Sequence, residues 1–208
     1  MFGTQNLVLF VLSGILLNIT PGQDTFYIVG RSVAQGRRAG VLSVFGIISG
    51  CIVHTFAAAF GLSAILATFP YAFRVVKFVG AAYLMYLGVT MLVERSTGVP
   101  RVTGSVNESW WAIYRAGFFT NLFNPKVALF FMAFLPQFVN PAAESKIRAF
   151  LFLGALFIWN GTIWCLILVW CASAMGRRLR ESPSTNSLLR RASGALFVGL
   201  GVRLAVSR

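Results

Sequence analysis

Acidic residues are scarce in this chain: five carboxylates in 208 residues, against 18 lysines and arginines. Histidine occurs once, at His54, and cysteine three times. These shortages remove whole classes of chemistry. One histidine, no Cys–His pair of usable spacing, no phosphate-binding glycine loop and no carboxylate cluster leave little for hydrolysis, phosphoryl transfer or metal chemistry. Cys51, Cys165 and Cys171 fall within apolar runs without ligand spacing and read as small packing residues. No enzymatic activity, cofactor or metal site is expected. Charge of either sign is also low, at 11% of residues, while 57% are hydrophobic and the mean hydropathy is +0.77. Soluble domains carry about 25% charged residues, so this is an integral membrane protein. That conclusion changes the meaning of the net charge of +13. In a soluble chain it would suggest nucleic acid. Here the arginines cluster in loops between apolar runs, where they orient the chain and meet anionic lipid, and no nucleic-acid partner is expected.

What the chain has in abundance is apolar length, enough for six helices of ~20 residues with short loops. Leu7–Gly30 is the first run, broken at Thr20-Pro21-Gly22. It lacks a basic flank and a small-residue cleavage site, so it is expected to stay as a helix. Arg31–Gly40 reads as a short loop with Arg31, Arg37 and Arg38. The uncharged stretch from Ala39 to Phe73 holds a second helix ending near Pro70, with Gly46 and Gly50 forming a face for close helix packing. A third helix is expected over Val75–Val93, with Lys77 near its end. Glu94–Arg115 is the one polar connector of any length, ending in the interfacial aromatics Trp110, Trp111 and Tyr114. Ala116–Val139 is the fourth run, broken at Asn124-Pro125. Ala149–Gly176 is the fifth, and Leu188–Val206 the sixth, after the arginine-rich stretch Gly176–Arg191.

Pro125 lies 104 residues after Pro21, half of the 208-residue chain. The same shift carries Gly50 onto Gly154. Both halves run broken helix, polar loop, long helix, third helix. The expected fold is therefore all-α and membrane-integral. Six transmembrane helices form two inverted three-helix repeats, with the first and fourth helices broken. The repeats span about 1–94 and 116–208, joined by a connector over about 95–115 in a single membrane domain. Eleven basic residues fall in the odd-numbered loops and six on the other side. Positive charge favours the cytoplasm, which places both termini outside.

The two breaks concentrate the polar groups. A proline inside a helix frees a carbonyl, and lipid cannot satisfy it, so such breaks survive only inside protein or beside a water-filled cavity. Interrupted segments in corresponding positions of two halves point to a transporter's binding site. The candidate residues are Asn18, Thr20, Pro21, Gly22, Gln23 and Asp24 at the first break, and Asn121, Asn124, Pro125 and Lys126 at the second. Asp24 is the one carboxylate inside a membrane segment. An ionised group there costs ~3 kcal/mol on insertion scales and marks function by default. The structural alternative is that Asp24 caps the resumed helix or sits at the interface. Lys126 is expected near mid-depth, where it pairs with Asp24 or snorkels outward. The asparagines and Thr20 either touch substrate or satisfy freed backbone. His54 is the remaining candidate proton carrier, or else a packing residue.

These same residues carry a family resemblance. Asn18-Ile-Thr-Pro-Gly-Gln-Asp24, Ser32-Val-Ala-Gln-Gly-Arg-Arg-Ala-Gly40, Gly117-Phe-Phe-Thr-Asn-Leu-Phe-Asn-Pro-Lys126 and Phe134-Leu-Pro-Gln-Phe138 resemble the lysine exporter / homoserine-threonine resistance (LysE/RhtB) family. The resemblance covers essentially the whole chain. Gln23 departs from it, because many members carry a second proline there. What the resemblance implies is six helices in a bacterial inner membrane and proton-driven export of amino acids or related amines. The expected partners are an amino-acid-like substrate, protons and membrane lipid, with a homo-oligomer left open. Two other readings stand beside it: a structural or assembly membrane protein with packing kinks at the breaks, and a cation or metal carrier. A single intramembrane carboxylate and the lack of His/Cys clusters disfavour the carrier.

Overall fold

The structure, a computed structural model, describes residues 2–64 and 108–175, with isolated positions 75, 78, 82, 85, 86, 89, 198, 199 and 202. Apart from those isolated positions, the expected third and sixth helices and most of the connector lie outside the described residues. Among the described residues the fold is all-helical apart from turns and one isolated bridge. Helix α1 (Leu7–Ile19) is a run of Leu, Val, Phe and Ile that stops where Pro21 withdraws its N–H. Thr20 is extended, at φ −63 and ψ 119, as a residue before proline must be. Its hydroxyl donates back to the Leu16 carbonyl at 2.6 Å. Gly22 is also extended, and α2 (Gln23–Phe56) begins immediately after it.

α2 is a hairpin of two helical arms. Gly36 sits at φ 81 and ψ −175, a region closed to residues with a side chain. In a straight helix residues 32 and 40 would lie ~12 Å apart. Instead Gly40 packs directly on Ser32, and Ile28 shares one buried cluster with Val44 and Ile47. The expected loop Arg31–Gly40 thus shrinks to a single residue, because one glycine suffices to reverse the chain. Arg31 consequently lies on a helical arm, buried, with its guanidinium 2.6 Å from Glu108 Oε2. Its charge also lies 5.4 Å from the Tyr27 ring, and the Tyr27 hydroxyl donates to the Ile113 carbonyl at 2.7 Å. These contacts tie the first half to the start of the second. Beyond α2 a π-helical turn, Ala57–Leu62, continues the arm.

Helix α3 (Trp110–Leu122) is capped by the Ser109 hydroxyl, which accepts from the Ala112 N–H at 3.2 Å. It starts six residues before the expected Ala116, so Trp110, Trp111 and Tyr114 belong to the helix and not to the connector. After the break come α4 (Pro125–Leu129), a π turn (Phe130–Phe134) and a 3₁₀ turn (Leu135–Phe138). The two sides of the break are bent by 46°. Helix α5 (Lys146–Met175) fills the expected fifth segment and is long and apolar enough to cross a bilayer. Each break follows a helix of 13 residues, or ~20 Å of rise.

Two glycines let α2 approach α3 closely, Gly46 against its backbone and Gly50 against the Asn121 side chain. A Cβ on Gly46 would strike the Tyr114 carbonyl and lie 2.8 Å from the Phe118 nitrogen, and one on Gly50 would lie 2.7 Å from Asn121 Oδ1. On the other side of the cavity a phenylalanine cluster packs α1, the segment after the second break and α5. Phe130 and Phe157 have centroids 4.6 Å apart there, and Phe10 and Phe138 lie 5.2 Å apart. The N-terminal residues strap this end: the Gln5 N–H donates to the Phe138 carbonyl at 2.9 Å, and the Asn140 N–H to the Gly3 carbonyl at 2.8 Å.

Candidate functional site

The two breaks face each other across a cavity. It is bounded by the end of α1, the first turn and second arm of α2, the α3–α4 break and the middle of α5. Asn18, Thr20, Gly22, Asp24, Asn121, Asn124 and Lys126 all line it. Leu17, Ile47, Ile48, Val127, Phe157 and Ile158 form the apolar wall.

Asp24 is the second residue of α2, and its side chain makes no cap bond, because the cap position belongs to Gly22. Its carboxylate Oδ2 accepts from Asn121 Nδ2 at 2.8 Å, joining the two breaks directly. Its Oδ1 is buried, and the Asn124 side chain also approaches the carboxylate. Negative charge in a first helical turn is favoured by the helix dipole, which partly offsets this burial.

Lys126 does not pair with Asp24. Its Nζ donates to the Leu17 carbonyl at 2.7 Å and the Thr20 carbonyl at 2.8 Å. The reason lies in the break itself. In an unbroken helix the Leu17 carbonyl would accept from residue 21, and Pro21 has no N–H. The ammonium from the second half therefore repairs the helix end of the first, where the dipole also favours a cation. The expected ion pair is replaced by this cap, because Pro21 leaves the Leu17 carbonyl without its helical donor and the extended Thr20 turns its own carbonyl out of the helix. Asn124 performs the matching task for α4, accepting from the Lys126 N–H at 3.0 Å. Pro125 then occupies the first helical turn, where a missing N–H costs nothing.

The LysE type translocator family model matches residues 15–208. A leucine efflux protein of Klebsiella pneumoniae subsp. pneumoniae is 28% identical, over 98% of this chain and 96% of its own length. A leucine efflux protein of Salmonella typhimurium is 27% identical over the same shares. An uncharacterized membrane protein of Vibrio cholerae serotype O1 is 28% identical, over 96% of each chain. No solved structure matches. The chain belongs to the LysE type translocator family. It is a multi-pass membrane transporter and not an enzyme.

Four sequence candidates in this LysE type translocator stand away from the cavity. Gln23 and Pro125 are exposed, and Pro21, half-buried, shapes the break without lining the cavity. His54 lies behind Asn121, with Nε2 3.3 Å from the Asn121 carbonyl and its ring stacked on Phe131 at 5.7 Å. It adds a second contact to a carbonyl that already accepts from the Asn124 N–H at 2.9 Å.

The α5 wall went unnoticed in the sequence. Gly161, Thr162, Trp164 and Cys165 line the cavity, and Trp164 Nε1 is buried without a partner. A tryptophan in the middle of a 30-residue apolar helix, away from the interfacial belt, was the available signal. Asn18 Nδ2 and Asn121 Oδ1 are likewise buried, and the Cys51 thiol approaches the Asn121 side chain. Each asparagine sits in the last turn before a break and packs on a glycine of the other half's long helix: Asn18 on Gly161, Asn121 on Gly50.

Proposed function

We propose that this translocator exports amino acids, or closely related small zwitterions and amines, from the bacterial cytoplasm by alternating access about the cavity between the breaks. The observation that carries the reading is Asp24, a carboxylate without an ion-pair partner among the described residues, in a cavity built from both halves. A buried carboxylate demands a cation or a proton. A substrate ammonium and a proton compete for this one group, so each leaves as the other arrives. Substrate leaves outward and a proton returns inward, which is antiport. One break from each half, facing the other across the cavity, supports an inverted repeat of two three-helix halves, the arrangement that lets one half rock against the other. The leucine efflux relatives favour an amino acid over a metal ion as cargo. Among the described residues no group of three or more His, Cys, Asp or Glu side chains could hold a metal.

The test is accumulation of labelled leucine in inverted membrane vesicles carrying an imposed, acid-inside pH gradient. Uphill uptake that collapses with the gradient is the expected result. No uptake above vesicles lacking the protein would favour the structural reading, and inhibition by divalent cations alone would favour the carrier.

The arginine distribution supports a cytoplasmic Gly36 turn with both termini outside. A cysteine replacing exposed Ala34, in a background with Cys51, Cys165 and Cys171 changed to Ala, should be shielded from an impermeant thiol reagent in intact cells. One replacing exposed Glu144 should react. Reversed labelling would overturn the direction of export.

A further inference from the structure

Resting on the reading that the cavity between the breaks is the transport site, we propose that Arg31–Glu108 and Tyr27–Ile113 together latch a gate closing it towards the Gly36 turn. Between the cavity and that turn the described residues form two layers. The first is apolar. Ile28, Val44, Ile47 and Val169 make one buried cluster, and Cys165 both packs against it and lines the cavity. Along the first arm of α2, Ile28 lies four residues beyond Asp24, ~6 Å, and Arg31 a further ~5 Å. The second layer is polar and joins this arm to the segment entering α3. The Arg31 side chain, 6% exposed, meets Glu108 Oε2 at 2.6 Å, and the Glu108 side chain is 25% exposed. The Tyr27 hydroxyl donates to the Ile113 carbonyl at 2.7 Å and also approaches the Arg31 and Ser43 side chains.

The two ends of the cavity are closed by different chemistry. At the opposite end lie the phenylalanine cluster and the backbone bonds that tie residues 3 and 5 to residues 140 and 138. Parting that end would expose large rings and unpair main-chain groups. Parting the Gly36 end wets a layer of four apolar residues and separates one ion pair and one hydroxyl bond. Water can replace both polar contacts, so their net cost is small. A buried ion pair holds little more tightly than an apolar pair of equal volume, and its attraction falls several-fold once water raises the local dielectric. Glu108 borders the surface, where that water enters. The pair is strong while the layer is dry and weak once it is wet, which makes two discrete states of it.

The reporter is Cys165 in the full-length protein with Cys51 and Cys171 changed to Ala. It is labelled by a charged, membrane-impermeant methanethiosulfonate applied to membrane vesicles of each orientation. The orientation in which a separate Ala34→Cys protein reacts exposes the Gly36 face. Cys165 should react slowly from that face while the latch is intact. Glu108→Gln should speed the reaction by ~10-fold or more from the Gly36 face and not from the other. Tyr27→Phe strands no charge and should act in the same direction by a smaller factor. Arg31→Gln added to Glu108→Gln should give no further increase, because the two side chains form one contact. The gate is overturned by an equal rise from both faces, by an additive rise in the double variant, or by an unchanged rate in Glu108→Gln. Where Glu108→Gln does not fold, an unchanged rate in Tyr27→Phe overturns it instead. If the rates shift as expected but the unsubstituted protein accumulates no leucine in inverted vesicles, the export reading fails and the gate stands. Accumulation without any shift in rate leaves export standing and removes the gate.

Discussion

Asp24→Asn is expected to abolish uphill, pH-gradient-driven leucine accumulation while leaving the protein folded. The amide is the same size as the acid, and its oxygen still accepts from Asn121, so the 2.8 Å link between the breaks survives. What disappears is the ability to alternate between a proton and an ammonium. Without a negative charge the substrate's ammonium meets a neutral dipole, and no proton is taken up in exchange. Downhill movement of leucine is expected to persist at reduced affinity, because the rest of the cavity lining remains. Gradient-driven accumulation in inverted vesicles should fall to the level of vesicles lacking the protein. Normal accumulation by Asp24→Asn would remove Asp24 from the coupling step. His54, hydrogen-bonded to the Asn121 carbonyl, would then be the next residue to test.

The second large effect belongs to Lys126, and it is of a different kind. Lys126→Met retains the aliphatic stem and removes the ammonium, so the Leu17 and Thr20 carbonyls lose their donor. Each buried carbonyl left unpaired costs ~1–3 kcal/mol, and folded proteins have a margin of only ~5–15 kcal/mol. The variant should therefore lose folded protein as well as transport. Detergent-extracted Lys126→Met should show a lower melting temperature and a reduced monodisperse fraction, while Asp24→Asn shows neither. Lys126→Arg should recover part of the stability, since its guanidinium can reach both carbonyls without their exact geometry. A Lys126→Met protein that is normally stable, with leucine affinity alone reduced, would make Lys126 a substrate ligand and not a helix cap.

These contrasting roles bear on how the cavity works. Lys126 from the second half closes the helix end of the first, and Asn121 from the second half holds Asp24 of the first. The polar groups of each break are thus completed by the other half. Any rocking of the halves must carry these cross-links with it or exchange them. The buried Arg31–Glu108 pair and the Tyr27–Ile113 bond join the halves near the Gly36 end, and the strap of residues 3–5 closes the opposite end.

The sequence by itself determined what depends on covalent chemistry and on composition. Proline lacks an N–H wherever it is placed, so Pro21 and Pro125 had to interrupt their helices. An apolar chain with few charges had to lie in lipid. Glycines at 46 and 50 had to offer a face without side chains. The motif residues around both breaks were sufficient for the family. Tertiary structure decided which donor meets which acceptor, because a freed carbonyl takes whatever cation the fold brings within reach. Sequence spacing suggested Lys126 for Asp24, yet the fold gives Lys126 to the backbone and Asn121 to the carboxylate. It likewise turned a ten-residue loop into a hairpin closed at Gly36. Hydropathy cannot distinguish a basic loop from basic helix ends when one positive-φ glycine reverses the chain. Trp164 shows the same division most plainly. Its indole N–H is a common feature of membrane helices, and only the packing of α5 against the breaks buries it at the cavity without a partner.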